Sequence, residues 1–386
     1  MNDDWEVMVL GDLVSIKAGK YISKAEYFET GEFFIYGSNS VMGKYDKALV
    51  ETPHVVMAAV GAYAGAVRFS ANPSWVNNNA FALMPSERID PFFLYLWLAG
   101  VLELPQVLAG TGQPYVKRPS LLRQRVTLPP LPVQRRIVDL MAHLDNQIAN
   151  LRTERDAAEE TARLFVENRL EGARGGAMWP TAEIASVCTV VTDGSHSSPK
   201  TVDDGYPYVT VRDVRDSRIH FDTAARVSSQ DFLLLKKNGC APQRGDVLFA
   251  KDGATMGKVA LVPDDREFVV LSSLAILRPD TTQVLPEYLF FALGSTSFFQ
   301  SALASRTGLA ITRIVLKTLK SLSIPLPDID NQLRIVGEVS ALYETIGSLQ
   351  KEMDALTRLR RTLLSCLLLG DREIDEAYDQ LLTEAA

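Results

Sequence analysis

"LPPLPVQRRIV" at residues 128–138 and "IPLPDIDNQLRIV" at 324–336 share prolines, a short step and then Gln-x-Arg-Ile-Val. They align at an offset of 198, which sets Gln134 on Gln332, Arg136 on Arg334, Ile137 on Ile335 and Val138 on Val336. The match runs on downstream. An apolar seam passes through Ile137, Met141, Leu144, Ile148 and Leu151, then more weakly through Arg155, Ala158, Ala162 and Phe165. Its counterpart passes through Ile335, Val339, Leu342, Ile346, Leu349, Met353, Leu356, Arg360 and Leu363. Steps of four and three alternate throughout, which is the coiled-coil period. The prolines set each helix start, and Gly172 and Gly370 stop both at the same offset. Each helix is expected to span ~38 residues, roughly 57 Å at the α-helical rise. Two amphipathic helices on separate cores would also fit the pattern; the shared register favours mutual packing.

Upstream of the helices the repeat is looser. "GAYAGAV" (61–67) resembles "GATMGKV" (253–259) at an offset of 192, "RIDPFFLYLWL" (88–98) echoes "QVLPEYLFFAL" (283–293) at 195, and "GTGQ" (110–113) faces "RTGL" (306–309) at 196. The offset drifts in the globular parts and holds in the helices. "HVVMAAV" (54–60), "GDVLFAK" (245–251) and "KVALVP" (258–263) read as strands bounded by turn residues. "PFFLYLWL" and "PEYLFFAL" read as short helices opening on proline. The expectation is two α+β domains, each followed by a long helix, with "EGARGGAMWP" (171–180) as the joint. The boundaries are set at 1–131, 132–172 (helix), 173–327, 328–370 (helix) and 371–386, an acidic end.

Composition is that of a globular chain of 386 residues, 47% hydrophobic and 23% charged, long enough for two cores. The start "MNDDWEVMVLGDLV" is acidic and unlike a signal peptide, and "FFLYLWLAGVLEL" (92–104) is too short to span a bilayer. Cys188, Cys240 and Cys366 are scattered and fit a reduced, cytoplasmic setting with buried thiols. His54, His143, His196 and His220 are equally scattered, so no metal is expected. Net charge is −7, but acid collects at the C-terminal end, where residues 328–386 hold 12 Asp+Glu against 6 Lys+Arg. Residues 173–327 hold 17 Lys+Arg against 15 Asp+Glu, so global charge does not exclude a nucleic-acid partner.

Catalytic signatures are wanting. "GATMGKV" is one residue short of a phosphate-binding loop and has no Ser/Thr after Lys258. "ANPSW" (71–75) lacks the second proline of an adenine-methyltransferase motif, and no glycine-rich methyl-donor site accompanies it. Neither a nucleophile elbow nor a convincing nuclease carboxylate–lysine cluster is found. A self-contained enzyme is therefore disfavoured, and a coiled-coil adaptor without a DNA role is the other competing reading.

The pattern resembles the specificity (S) subunit of Type I restriction–modification systems over nearly the whole chain. The marks are "VTLPPLPVQRRIV" and "LSIPLPDIDNQLRIV", "YGSNSVMGKYD" (36–46), "VTDGSHSSPKTVDDGYPYVTVRDV" and "RGDVLFAKDGATMGKVALV". Asp328 and Asp330 depart from the family's helix start, although Asp328 can cap the helix. The resemblance implies two target-recognition domains, each reading one half of a split double-stranded DNA site. It implies that the helices pack as an antiparallel coiled coil with pseudo-twofold symmetry and act as the spacer. It further implies docking of two methyltransferase subunits, which bind S-adenosylmethionine and methylate adenine N6. Two restriction subunits using ATP and Mg join where the assembly cleaves. This chain would carry no catalytic residue, metal or cofactor. The alternative is a specificity subunit of a modification-only or other phage-defence methyltransferase complex.

Base and phosphate contacts call for Arg, Lys, Asn, Gln, Ser or Thr on exposed loops. The first domain offers Ser38, Asn39 and Lys44; Asn77, Asn78 and Asn79; Tyr63, which could equally pack; and Gln113, Lys117 and Arg118 ahead of the helix. The second offers Ser195, His196, Ser197 and Lys200; Arg212, Arg215 and Arg218, unless Asp213 and Asp216 neutralise them; Lys251, Thr255 and Lys258; and Arg306 and Arg313. For each segment the alternative is a plain surface turn.

Overall fold

The structure is a computed structural model that describes residues 5–27, 29–172, 178–305, 313–372, 374 and 377–378. The chain divides into two compact units, one of residues 1–152 with 351–386 and the other of residues 153–350. The two long helices run Leu131–Glu171 and Ile329–Leu369, 41 residues each, and each helix contributes one part to either unit.

The first unit is built on an antiparallel sheet in the spatial order Val14–Ala18, Ala80–Pro85, His54–Ala58, Val67–Ser70. The second repeats that order with Cys188–Asp193, Leu274–Pro279, Val247–Ala250 and Val259–Leu261. The central strands are apolar on both faces: Val55, Met57, Phe81 and Leu83 line one face and Val56, Ala80 and Ala82 the other in the first unit, as do Val247, Phe249, Ala275 and Leu277 against Leu248, Ala250, Leu274 and Ile276 in the second, all buried. Such strands must be covered on both sides, and the helices Pro91–Gly100 and Pro286–Gly294 contribute to that cover. A smaller sheet in each unit contains a parallel pair, Phe34 facing Ser74 in one and Tyr208 facing Val269 in the other. The copies diverge between the first two strands of the main sheet: His54 follows Val14 by 40 positions, whereas Val247 follows Cys188 by 59. The additional length holds the hairpin Val214–Arg215/Arg218–Ile219 and the helix Ser229–Lys237.

Each core is completed by both long helices. Ile137, Met141 and Leu144 join the first core with Leu364, Leu367 and Leu368. Val166 and Leu170 join the second with Ile335 and Val339. In the first unit Arg360 Nη2 donates to Asp145 Oδ2 at 2.7 Å, while the C-terminal leucines reach the core that holds Ile137. In the second, Arg155 Nη1 donates to Gln350 Oε1 at 2.8 Å and Arg169 pairs with Glu338 at 2.9 Å. Numbers rise along one helix as they fall along the other, so the helices are antiparallel in both units. Every expected seam position is buried or half-buried, Ile148, Leu151, Leu342, Ile346, Leu349, Met353 and Leu356 included. Ala162, where the first seam reads as weak, is fully buried.

The doubled helix start has a specific physical content. Gln134 is fully buried; its Oε1 accepts from Asp90 N at 2.8 Å, and its Nε2 donates to Arg88 O (3.1 Å) and Pro129 O (2.8 Å). Gln332 is also fully buried; its Oε1 accepts from Leu285 N at 2.8 Å, and its Nε2 donates to Gln283 O (2.9 Å) and Pro327 O (2.8 Å). Asp90 and Leu285 are the N-cap residues of the two short apolar helices, so each glutamine joins its long helix to the same place in its domain. The second start adds a side-chain cap. Asp328 Oδ1 accepts from Asn331 N at 2.8 Å, where the first copy has Pro130. At the far end Gly370 takes φ +75° and the Asp371 N–H reaches Cys366 O at 2.9 Å, a Schellman stop.

Candidate nucleic-acid interface

The exposed loops in each unit hang on one backbone crossing, present twice. In the first unit Gly19 N donates to Ala80 O, Ala59 N to Asn79 O, and Val116 N to Ala59 O, while Val60 bridges Tyr115. In the second, Gly194 N donates to Leu274 O, Lys251 N to Ser273 O, and Ile314 N to Lys251 O, while Asp252 bridges Arg313. Gly19 and Gly194 are required for the close approach. A Cβ would lie 2.0 Å from Asn77 O in one and 2.2 Å from Val270 O in the other.

This crossing gathers several candidates in the first unit. Asn78 and Asn79 form an exposed turn beside it, and the loop carrying Gln113, Lys117 and Arg118 is tied to the Tyr63 turn through Gly61 N and Pro114 O at 2.8 Å. Tyr63 is 50% exposed and does not pack into the core. Arg118, an exposed residue, places its guanidinium 5.0 Å from the Phe81 ring centroid. Asn39 tops the hairpin between Phe33–Tyr36 and Val41–Tyr45, with Ser38 half-buried. The Ser38 carbonyl accepts from Arg68 Nη1 at 3.4 Å. Lys44, half-buried, sits 5.3 Å over Phe34. Asn77 faces inward, 4% exposed, and donates to Tyr27 Oη at 3.3 Å, so its side chain leaves the exposed set.

In the second unit two of the expected contacts, Lys251 and Ser195, are buried. Lys251, expected as a phosphate contact, is 1% exposed and pairs with Asp193 Oδ1 at 2.5 Å. Its charge is consumed inside the crossing. Ser195 is 3% exposed and donates to Ser197 O at 2.7 Å, shaping the loop rather than facing outward. His196 is the exposed member, with Nε2 3.5 Å from Asp193 Oδ2. Lys200 and Ser197 are exposed on the same loop. Arg313 pairs with Asp252 at 3.3 Å and stays half-exposed, while Thr255 donates to Asp252 O at 3.2 Å. Arg306 lies outside the described residues.

The arginine segment 211–218 folds as a tight hairpin. Asp216 and Ser217 take φ 50° and 57°, as a two-residue hairpin turn requires. That register sets Arg215 directly opposite Arg218, a like-charge pair that costs stability. Asp213 does not neutralise them. It is buried and accepts from Thr210 N (2.8 Å), Thr210 Oγ1 (2.9 Å) and Thr223 Oγ1 (3.2 Å). Among the described residues Arg212, Arg215 and Arg218 have no acidic partner. Beside the hairpin a cleft of about 300 Å³ brings Arg215 together with Lys258, Arg163 and Tyr343.

Several exposed cations escaped the sequence reading: Lys17 and Lys20 flanking Gly19, and Arg123 and Arg125 beyond Arg118. The first pair becomes visible only when "KAGK" is set on "TDGS", an offset of 175 far from the 192–198 of the rest. The described residues contain no cluster of metal-ligating side chains, and none of their helices is long and apolar enough to cross a membrane. Burial pushes the Cys188 thiol up to about 12, out of the reactive range.

The family model for the type I restriction modification DNA specificity domain matches residues 2–160 and again 177–358. The chain belongs to that family. Its relatives include the MjaVIII specificity subunit of Methanocaldococcus jannaschii, 26% identical over 196 residues, covering 44% of this chain and 46% of the relative. The EcoBI specificity subunit of Escherichia coli is 26% identical over 167 residues, covering 43% and 35% respectively. The matched chain thus spans under half the length of either relative. The crystal structure of a Type I restriction–modification S subunit from M. genitalium shares the fold, with TM-score 0.58 at 14% identity over 97% of this chain and 98% of the other.

Proposed function

We propose that this chain is the DNA sequence-recognition subunit of a cytoplasmic Type I restriction–modification complex and itself catalyses no step. Each unit reads one half of a bipartite double-stranded site. Two methyltransferase subunits carrying S-adenosylmethionine methylate adenine N6 there, and two restriction subunits using ATP and Mg cleave where they are present. The observation that supports this best is the crossing built twice on one topology, with different polar loops hung on each copy. A scaffold held constant while its loops diverge suits recognition of two unlike half-sites. Asn39, Tyr63, Asn78, Asn79, Gln113, Lys117 and Arg118 are the contacts proposed for the first half. His196, Lys200, Arg212, Arg215, Arg218, Lys258 and Arg313 are those proposed for the second.

The test is co-expression with a Type I methyltransferase subunit from the same genome followed by methylome sequencing. One bipartite motif is expected, and exchanging residues 14–128 for another family member's should rewrite one half alone. Persistence of every bipartite motif after deletion of this chain would overturn the reading. R215A/R218A should weaken DNA binding by roughly tenfold or more. It should also lower the slope of log affinity against log salt by about 1 for each phosphate that is no longer neutralised.

A further inference from the structure

We infer that Gln134 and Gln332 are positioning residues that fix the angle between each recognition domain and its spacer helix, and thereby the gap between half-sites that the complex accepts. The inference rests on the function proposed above.

Two domains that share little sequence place a fully buried glutamine in the same three hydrogen bonds. Two of those bonds end on the domain, at Arg88 and Asp90 or at Gln283 and Leu285. The third ends on the helix start, at Pro129 or Pro327. A planar amide with one acceptor and two donors, all engaged, resists rotation of domain against helix in a way an apolar contact does not. Apolar packing is non-directional, and the surrounding core already supplies it. A small angular error at the base of a helix roughly 62 Å long becomes a displacement of several ångströms at the far end. One base-pair step of duplex is about 3.4 Å.

The discriminating variant is Gln332→Glu. Ionised, its carboxylate faces the carbonyl oxygens of Gln283 and Pro327 and has no donor for either. Protonated, it regains one donor and keeps the acceptor for Leu285 N. Spin labels on exposed Glu287 and Leu333, both changed to Cys in a chain otherwise cleared of cysteine, report the domain-to-helix distance. At pH 8 the variant should show a distribution at least twice as wide as the parent, narrowing at pH 5.5, with its melting transition retained. In the complex at pH 8, methylation at sites with a gap one base pair longer or shorter should rise at least tenfold, with both half-site sequences unchanged. An unchanged distance distribution overturns the inference, and so does an unchanged gap. Loss of the second unit's cooperative melting at both pH values also overturns it, making Gln332 an ordinary core residue. Failure of the proposed function is separate: the parent complex would then show no bipartite motif at all.

Discussion

At the backbone crossing one copy holds Ala18 and Ala59 where the other holds Asp193 and Lys251. The equivalence follows from register: Ala18 faces Phe81 and Asp193 faces Ala275, while Ala59 N and Lys251 N donate to the residue just before the same strand. The fold therefore does not need charge there, since the first unit closes the crossing without it. A buried ion pair is seldom a net source of stability, because desolvation offsets attraction. What it adds in the second unit is a fixed carboxylate beside the exposed His196. The shared geometry belongs to the scaffold, and the ion pair belongs to what that copy displays.

K251A strands Asp193 and should cost the second unit about 3–5 kcal/mol, read by denaturant unfolding. D193A/K251A, which copies the first unit, should recover at least half of that loss; a double variant as unstable as the single would show that the pair is structural. Next in size are the glycines. G19A and G194A force a Cβ against backbone carbonyl oxygen, and each should cost about 1–3 kcal/mol, equally in the two units if the crossings are equivalent.

A smaller contrast is His54, which occupies the place of Asp246 in the second unit, one position before the equivalent Val55 and Val247. It is fully buried, with Nδ1 2.7 Å from Thr52 O and Nε2 2.8 Å from Ser74 Oγ, and burial lowers its pKa. The unfolded chain thus binds this proton more readily than the folded one. The contribution is whole above the unfolded value of about 6.5 and is lost as pH falls, by up to about 1.4 kcal/mol per pH unit until the lowered folded value is passed. H54V should flatten that slope in melts from pH 7.5 to 5. The smallest effect is at the helix starts: D328A should cost about 1 kcal/mol in thermal melts, because Pro130 shows that the start tolerates the absence of a side-chain cap.

Much of this architecture was legible because it repeats. The four-three seam and the fixed offset announced two long helices, and burial follows the seam as far as Leu363. Asp328 was readable as a cap from its residue type and place. Gln134 and Gln332 stood out as repeated letters, yet their role was hidden, since their partners are backbone groups some 45 positions upstream. Lys251 misleads for a related reason. A lysine next to glycines looks like a phosphate contact until Asp193, 58 positions away, is brought to it by the sheet. The Gly19 and Gly194 equivalence was masked by the longer second copy, which shifts its offset away from the rest.

The leucines that close the first core, Leu364, Leu367 and Leu368, come more than 200 residues after Met141 and Leu144, which they join. During synthesis the domain made first must therefore wait for the last turns of the chain. Until then Phe93, Trp97 and their neighbours face a core that is missing one wall. Contacts of such sequence separation form slowly and leave apolar surface open meanwhile. Truncation by a few tens of residues at the C-terminus should thus unsettle the N-terminal domain more than the nearer second one, and the emerging chain has reason to need a chaperone on its oldest part.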